Sequence, residues 1–211
     1  MNRAKQRPLP FHGGPRANSG RPRGNRVSHA VRPRFERPTP VHVTLRVKRH
    51  VWNLRSGRCH RRLQACFERA RGRFGARLVE YSVMGNHLHL IVEADHNQAL
   101  ARGMQGLCIR IAKALNALMR LAGRVFDDHY FSRLLRTPTE LVRAIAYVLE
   151  NHRHHFGSGG SDAYASSELP EPVRAALLAP PKSWLLREGW RRAAAVVARR
   201  LRSQAHRVLA H

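Results

Sequence analysis

Residues 80–94, EYSVMGNHLHLIVEA, constrain the fold more than any other stretch. Apolar residues flank Gly85-Asn86, a pair suited to a two-residue hairpin loop. Leu78–Met84 and His87–Glu93 are therefore expected to pair as antiparallel strands. Side chains alternate between the two faces of a strand. Leu88, Leu90 and Val92 share one face; His87 and His89 share the other with Ile91 and Glu93. If the aliphatic set meets the helices, the histidines lie on an open face of the sheet. Two adjacent imidazoles can chelate one divalent cation, given a third ligand from elsewhere. Two unrelated half-exposed histidines would give the same pattern, and a chain with 14 histidines offers chance pairs.

The segments around the hairpin have clear periods. VHVTLRV, Val41–Val47, alternates and is expected to be a strand. Ser56 is a candidate cap for a helix with Leu63, Cys66, Phe67, Ala70 and Phe74 on one face and mostly arginine on the other. From Asn97 to about Ala122, Leu100, Met104, Leu107, Cys108, Ile111, Leu115, Leu118 and Ala122 form the stripe of a long helix, with Gly123 as its stop. Arg124–Leu135 reads as strand-like. Thr137–Glu140, TPTE, is a capping box with proline at the first helical position, opening a helix to about Asn151. The order β-α-β-β-α-β, followed by one helix, is the ferredoxin-like pattern of the α+β class: an antiparallel sheet with helices on one face. Residues 1–39 are expected to be a flexible basic arm, 40–156 the folded domain, and 157–211 a linker and basic tail. The stretch from 170 could pack on the core, bind nucleic acid or stay loose.

Charge narrows the partner. The chain has 39 Lys+Arg against 13 Asp+Glu among 211 residues, a formal net charge of +26. A bias towards arginine can reflect base composition, but it does not explain so few acids. A polyanion is implied, with nucleic acid ahead of a membrane surface. Within the arm, SGRPRGNR resembles the core of an AT-hook, in which Arg21, Arg23 and Arg26 would meet DNA; a solvated basic tail is the plainer reading. Cys59, Cys66 and Cys108 are too few and too far apart for a metal knuckle or a disulfide framework. Cys66 and Cys108 fall on expected apolar helix faces and read as reduced core residues of a cytosolic protein. No apolar run is long enough to span a membrane, and the first residues lack the apolar core of a secretory signal.

The last helix adds the second half of a possible site. With its stripe taken as Leu141, Val142, Ile145, Ala146 and Leu149, Tyr147 points roughly 170° away at 100° per residue. Asn151 lies one turn on, on the same side. Rival tyrosines are Tyr81, expected to pack within the hairpin, and Tyr130, which lacks an asparagine one turn on. Asp127 and Asp128 suggest a carboxylate metal site, but adjacent side chains on a strand point apart.

GNHLHLIVEA resembles the His-hydrophobic-His motif of HUH endonucleases, and AYVLENH resembles their Tyr-x-x-x-Asn helix. Over residues 41–156 the order of elements is similar to that of the REP-associated tyrosine transposases, relatives of the insertion-sequence-200-like transposases. SWLLREGW and the Gly/Arg/Pro arm resemble a bacterial subgroup. Two departures stand out: Gly85 where proline is frequent before the histidines, and His152 where proline often follows the asparagine. The resemblance implies a nickase and strand transferase acting on hairpin-forming single-stranded DNA. Tyr147 would be the nucleophile, forming a 5′-phosphotyrosine and releasing a 3′-OH. His87, His89 and Asn151 would hold Mg²⁺ or Mn²⁺. The protein would work in the bacterial cytoplasm at the nucleoid, as a monomer or homodimer, with no membrane partner. A non-catalytic or host-domesticated DNA-binding protein on the same fold is the alternative. A replication or conjugation initiator is disfavoured by the absence of a helicase segment.

Overall fold

The computed structural model describes residues 33–156 and 162–193, with the side chains of 150–156 excepted. The elements are β1 (Thr39–Arg46), α1 (Gly57–Ala70), β2 (Ala76–Val83), β3 (His87–Ala94), α2 (Asn97–Met119), β4 (Phe131–Leu134), α3 (Pro138–Phe156) and α4 (Glu171–Leu177). Four antiparallel strands form one sheet in the order β2-β3-β1-β4. This is the expected ferredoxin-like architecture.

Alternation separates two apolar layers. Val41, Val43, Leu45, Leu88, Leu90 and Val92 face α1 and α2, meeting Leu63, Phe67, Leu107, Ile111 and Leu115. Tyr81 belongs to this layer, fully buried with its ring 4.8 Å from Phe67, so it is a packing residue. Helix α2 approaches β2 closely at Gly103, where a Cβ would come within 2.3 Å of the Ala76 side chain.

The opposite face is covered, contrary to the open face expected. Its apolar residues Val79 and Ile91 pack against Leu141 and Val148 of α3 and against Leu185 and Leu186. Val79 reaches that face because the β2–β3 register shifts between Leu78 and Glu80. Such a bulge interrupts strict alternation.

Local capping follows the sequence. Cys59 N donates to Ser56 Oγ at 3.3 Å. Glu140 N donates to Thr137 Oγ1 at 3.2 Å, and Thr137 N returns a bond to Glu140 Oε2 at 3.2 Å. Three expectations shift. Phe74 leaves the stripe of α1, because the helix ends at Ala70 and Phe74 adopts φ 58° in a short 3₁₀ turn. Helix α2 stops at Met119 with Arg120, not Gly123, taking the left-handed cap. Only four residues of 124–135 form a strand, with an isolated bridge between Val47 and Phe126.

Residues 162–193 are built into the domain. Arg55 makes a two-pronged pair with Asp162 (2.7 and 3.0 Å), closing contacts 107 residues apart. Along the β2 edge, Tyr81 N donates to Ser166 Oγ at 2.9 Å, Val83 N to Tyr164 O at 3.0 Å, and Ala179 N to Leu78 O at 2.9 Å. Further on, Lys182 N and Ser183 N each donate to a carboxylate oxygen of Glu93 at 2.7 Å. Arg77 Nε donates to the same carboxylate at 2.7 Å. Of the alternatives for the stretch from 170, the described part packs on the core. No described helix is long and apolar enough to cross a membrane.

Candidate active site

The face covered by α3 carries the histidines. His87 and His89 project from β3 with ring centroids 4.8 Å apart, their planes near perpendicular. β1 adds two side chains to the same face, His42 and Thr44. Thr44 is directly opposite His89, and His42 is opposite Ile91, diagonal to His89. Diagonal neighbours of this kind are within reach of aromatic rings. His42 Nε2 and Thr44 Oγ1 each stand 3.2 Å from His89 Nδ1. His87 Nδ1 is 2.8 Å from Asn86 Oδ1 in the turn. Both Nδ1 atoms thus have partners within the protein.

Tyr147 comes to this group from α3. Its ring centroid is 5.2 Å from that of His89 and 5.8 Å from that of His42, both edge-on. It remains 43% exposed. The helix presents a different face from the one expected. Leu141 and Val148 are its buried residues, with Ala144 and Ile145 packed beside them. At 100° per residue, Tyr147 stands roughly 110° from the centre of that set, not 170°. A ring at the flank reaches the sheet; a ring opposite the stripe would point into solvent.

His42 was not singled out in the sequence. Its alternation with Val41 and Val43 put it on the face opposite the core, but only the strand register shows that this is the face of His89. Burial, then the Arg133 guanidinium directly across β4, push its pKa down to about 4. It is therefore a neutral imidazole at neutral pH, able to accept a hydrogen bond.

The backbone of Asn151 lies in α3 one turn beyond Tyr147, and its side chain falls outside the described residues. Arg21, Arg23 and Arg26 also lie outside them, as do the side chains of His152–Phe156. Among the described residues no three His, Cys, Asp or Glu side chains converge as a metal cluster. A cation on His87 and His89 would need an oxygen ligand of another kind, and an asparagine amide supplies one. Asp127 and Asp128 precede β4 in a loop, where Asp128 Oδ1 accepts from His129 N at 2.8 Å. Tyr130 borders a separate groove with Phe35 and His96.

A family model described as "Transposase IS200 like" matches residues 39–148, just over half of the sequence and inclusive of His42, His87, His89 and Tyr147. The chain belongs to the IS200-like transposase family. This transposase has a fold similar to a solved REP-associated tyrosine transposase bound to a REP hairpin. The two are 12% identical with a TM-score of 0.56, over 72% of this chain and 88% of that one. A candidate transposase from Deinococcus radiodurans R1 is 15% identical with a TM-score of 0.40, over 60% of this chain and 96% of that one. No curated protein matches the transposase. Family membership makes it a DNA-cleaving enzyme.

Proposed function

We propose that the transposase nicks and rejoins hairpin-forming single-stranded DNA through a covalent bond to Tyr147. The observation that carries the reading is the ring contact of Tyr147 with His89 and His42. The phenol oxygen attacks the scissile phosphorus and the bond to the 3′ oxygen breaks. A 5′-phosphotyrosine remains on the protein, and the departing strand ends as a 3′-OH that takes up the phenol proton. Rejoining reverses the step, so the phosphodiester energy is kept and no nucleotide cofactor is needed.

His87 and His89, through Nε2, and Asn151 would hold Mg²⁺ or Mn²⁺, which supplies Lewis-acid polarisation of the scissile phosphate. His89 can offer the Nε2 lone pair only in the tautomer with its proton on Nδ1. Thr44 Oγ1 and neutral His42 Nε2 stand where that proton is donated, so His42 fixes tautomer and ring orientation. The hairpin substrate is suggested by the REP hairpin bound to the structurally similar transposase. Arg21, Arg23 and Arg26 would grip phosphates from the arm.

The test is a cleavage assay on end-labelled hairpin DNA with Mg²⁺ or Mn²⁺. A covalent protein–DNA adduct is expected, absent in Tyr147→Phe while DNA binding is retained. An adduct that survives Tyr147→Phe removes the nucleophile assignment. His89→Ala should abolish metal-dependent cleavage, and unchanged cleavage in that variant removes the ligand assignment.

A further inference from the structure

The chain has three tryptophans, and the core uses none of them. Trp52 is 42% exposed, Trp184 48% and Trp190 38%. Each has a guanidinium over its ring: Arg58 at 5.4 Å, Arg192 at 4.9 Å and Arg191 at 5.7 Å. Large apolar rings left outside a core in this way mark binding surfaces. Two of the three belong to one short segment, Ser183–Ala193.

That segment is held rigidly. Its backbone is tied to Glu93 at Lys182 and Ser183, and Leu185 and Leu186 are buried beneath α3. Burial of those two leucines turns Trp184, Arg187, Arg191 and Arg192 outward. Trp184 is further fixed by Gly189: a Cβ there would come within 2.6 Å of the indole. Trp184 lines a shallow depression with Arg187, Arg191 and Arg192 and one acid, Glu188, and Arg192 lies over its ring.

We infer that this Trp184–Arg surface is a stacking platform for an unpaired nucleobase of single-stranded DNA. The ring offers a π-face to any base, and the arginines take the flanking phosphates. Aromatic rings interleaved with cations are the chemistry by which proteins hold single strands. Glu93 anchors the platform on the strand and face that carry His87 and His89. Six residues separate His87 from Glu93, roughly 20 Å at the rise of a strand. The net charge of +26 favours a polyanion over a protein partner. This inference rests on the reading of the substrate as single-stranded DNA.

The experiment uses the full chain carrying Tyr147→Phe, so that binding is measured without chemistry and independently of the nucleophile assignment. With Trp52→Phe and Trp190→Phe added, Trp184 is the sole indole reporter, and an oligo-deoxythymidine strand should quench its fluorescence. Trp184→Ala should weaken binding of that strand roughly 5- to 150-fold, while binding of a blunt duplex of equal length stays within about twofold. Trp184→Phe should restore most of the affinity. Absence of quenching overturns the proposal, including the case in which the protein's own tail covers the ring. Equal affinity in Trp184→Ala overturns it, and so does equal loss on strand and duplex.

Discussion

His42 illustrates how a single residue converts a strand into part of a site. It lies on the sheet face away from α1 and α2, 3.2 Å from Nδ1 of His89. Outer partners of ligating histidines typically change metal affinity or activity by about 10- to 100-fold when removed. His42→Ala is expected to lower both Mn²⁺ affinity, read by titration, and the cleavage rate, within that range. His42→Gln, which retains an acceptor, should recover part of each. Full metal affinity in His42→Ala would assign Thr44 alone to the task. Nothing in the sequence around His42 announces this: a lone histidine in an alternating strand looks the same whether it faces solvent or a partner. The histidine pair and Tyr147 carry local patterns, the i,i+2 spacing of a strand and an aromatic off a helical stripe, that let a sequence nominate them, whereas the flank of α3 that meets the sheet depends on tertiary packing.

At the scale of elements, local signals sufficed where the stabilising contact is local. The capping box of α3 and the Ser56 cap join residues three apart, and both are visible in the sequence. The segment that seals the histidine face is different. Its anchor is Glu93, fully buried against a buried arginine and two backbone amides 89 and 90 residues away. From sequence alone Glu93 is one acid on a strand, and SWLLREGW is a piece of a basic tail. Burial by itself would raise the Glu93 pKa. Donors from Ser183, Lys182 and Arg77 outweigh it and hold the carboxyl below its ordinary value of 4.5. A carboxyl depressed in the folded state contributes stability that is complete above its unfolded pKa and lost as pH falls through the folded one. Thermal stability should therefore decline as pH drops below 4.5. Glu93→Gln should cost about 3–5 kcal/mol near neutrality, because Arg77 is left buried with less compensation. Its denaturation profile should also be flatter across the acid range. An unaltered midpoint in chemical denaturation would show that the strap is held by its leucines alone.

For the whole molecule, the division of labour is between an almost neutral interior and a cationic exterior. Among the described residues, four carboxylates pair with partly or fully buried Arg55, Arg77 and Arg174, and a fifth, Glu140, pairs with Arg133 at the surface. Helix α1 buries Cys59, Leu63, Cys66 and Phe67 while Arg58, Arg61, Arg62 and Arg69 remain outside. Single-strand affinity should fall steeply with salt, by a slope of about 0.7 per phosphate contacted. Binding isotherms from about 50 to 200 mM salt measure it. A flat response would mean that the charge serves something other than DNA.

The strap also has a consequence for how the protein is made. The segment that helps close the histidine face is tied to Glu93 by Lys182 and Ser183, 89 and 90 residues later in the chain, so Glu93 is synthesised long before its donors. Long-range closures of this kind form late in folding. The sheet leaves the ribosome with a carboxylate awaiting its donors and two aliphatic side chains awaiting a cover. Translation must pass Leu186 before the surface around Tyr147 is finished. Until that segment is in place, Val79 and Ile91 lack part of their cover.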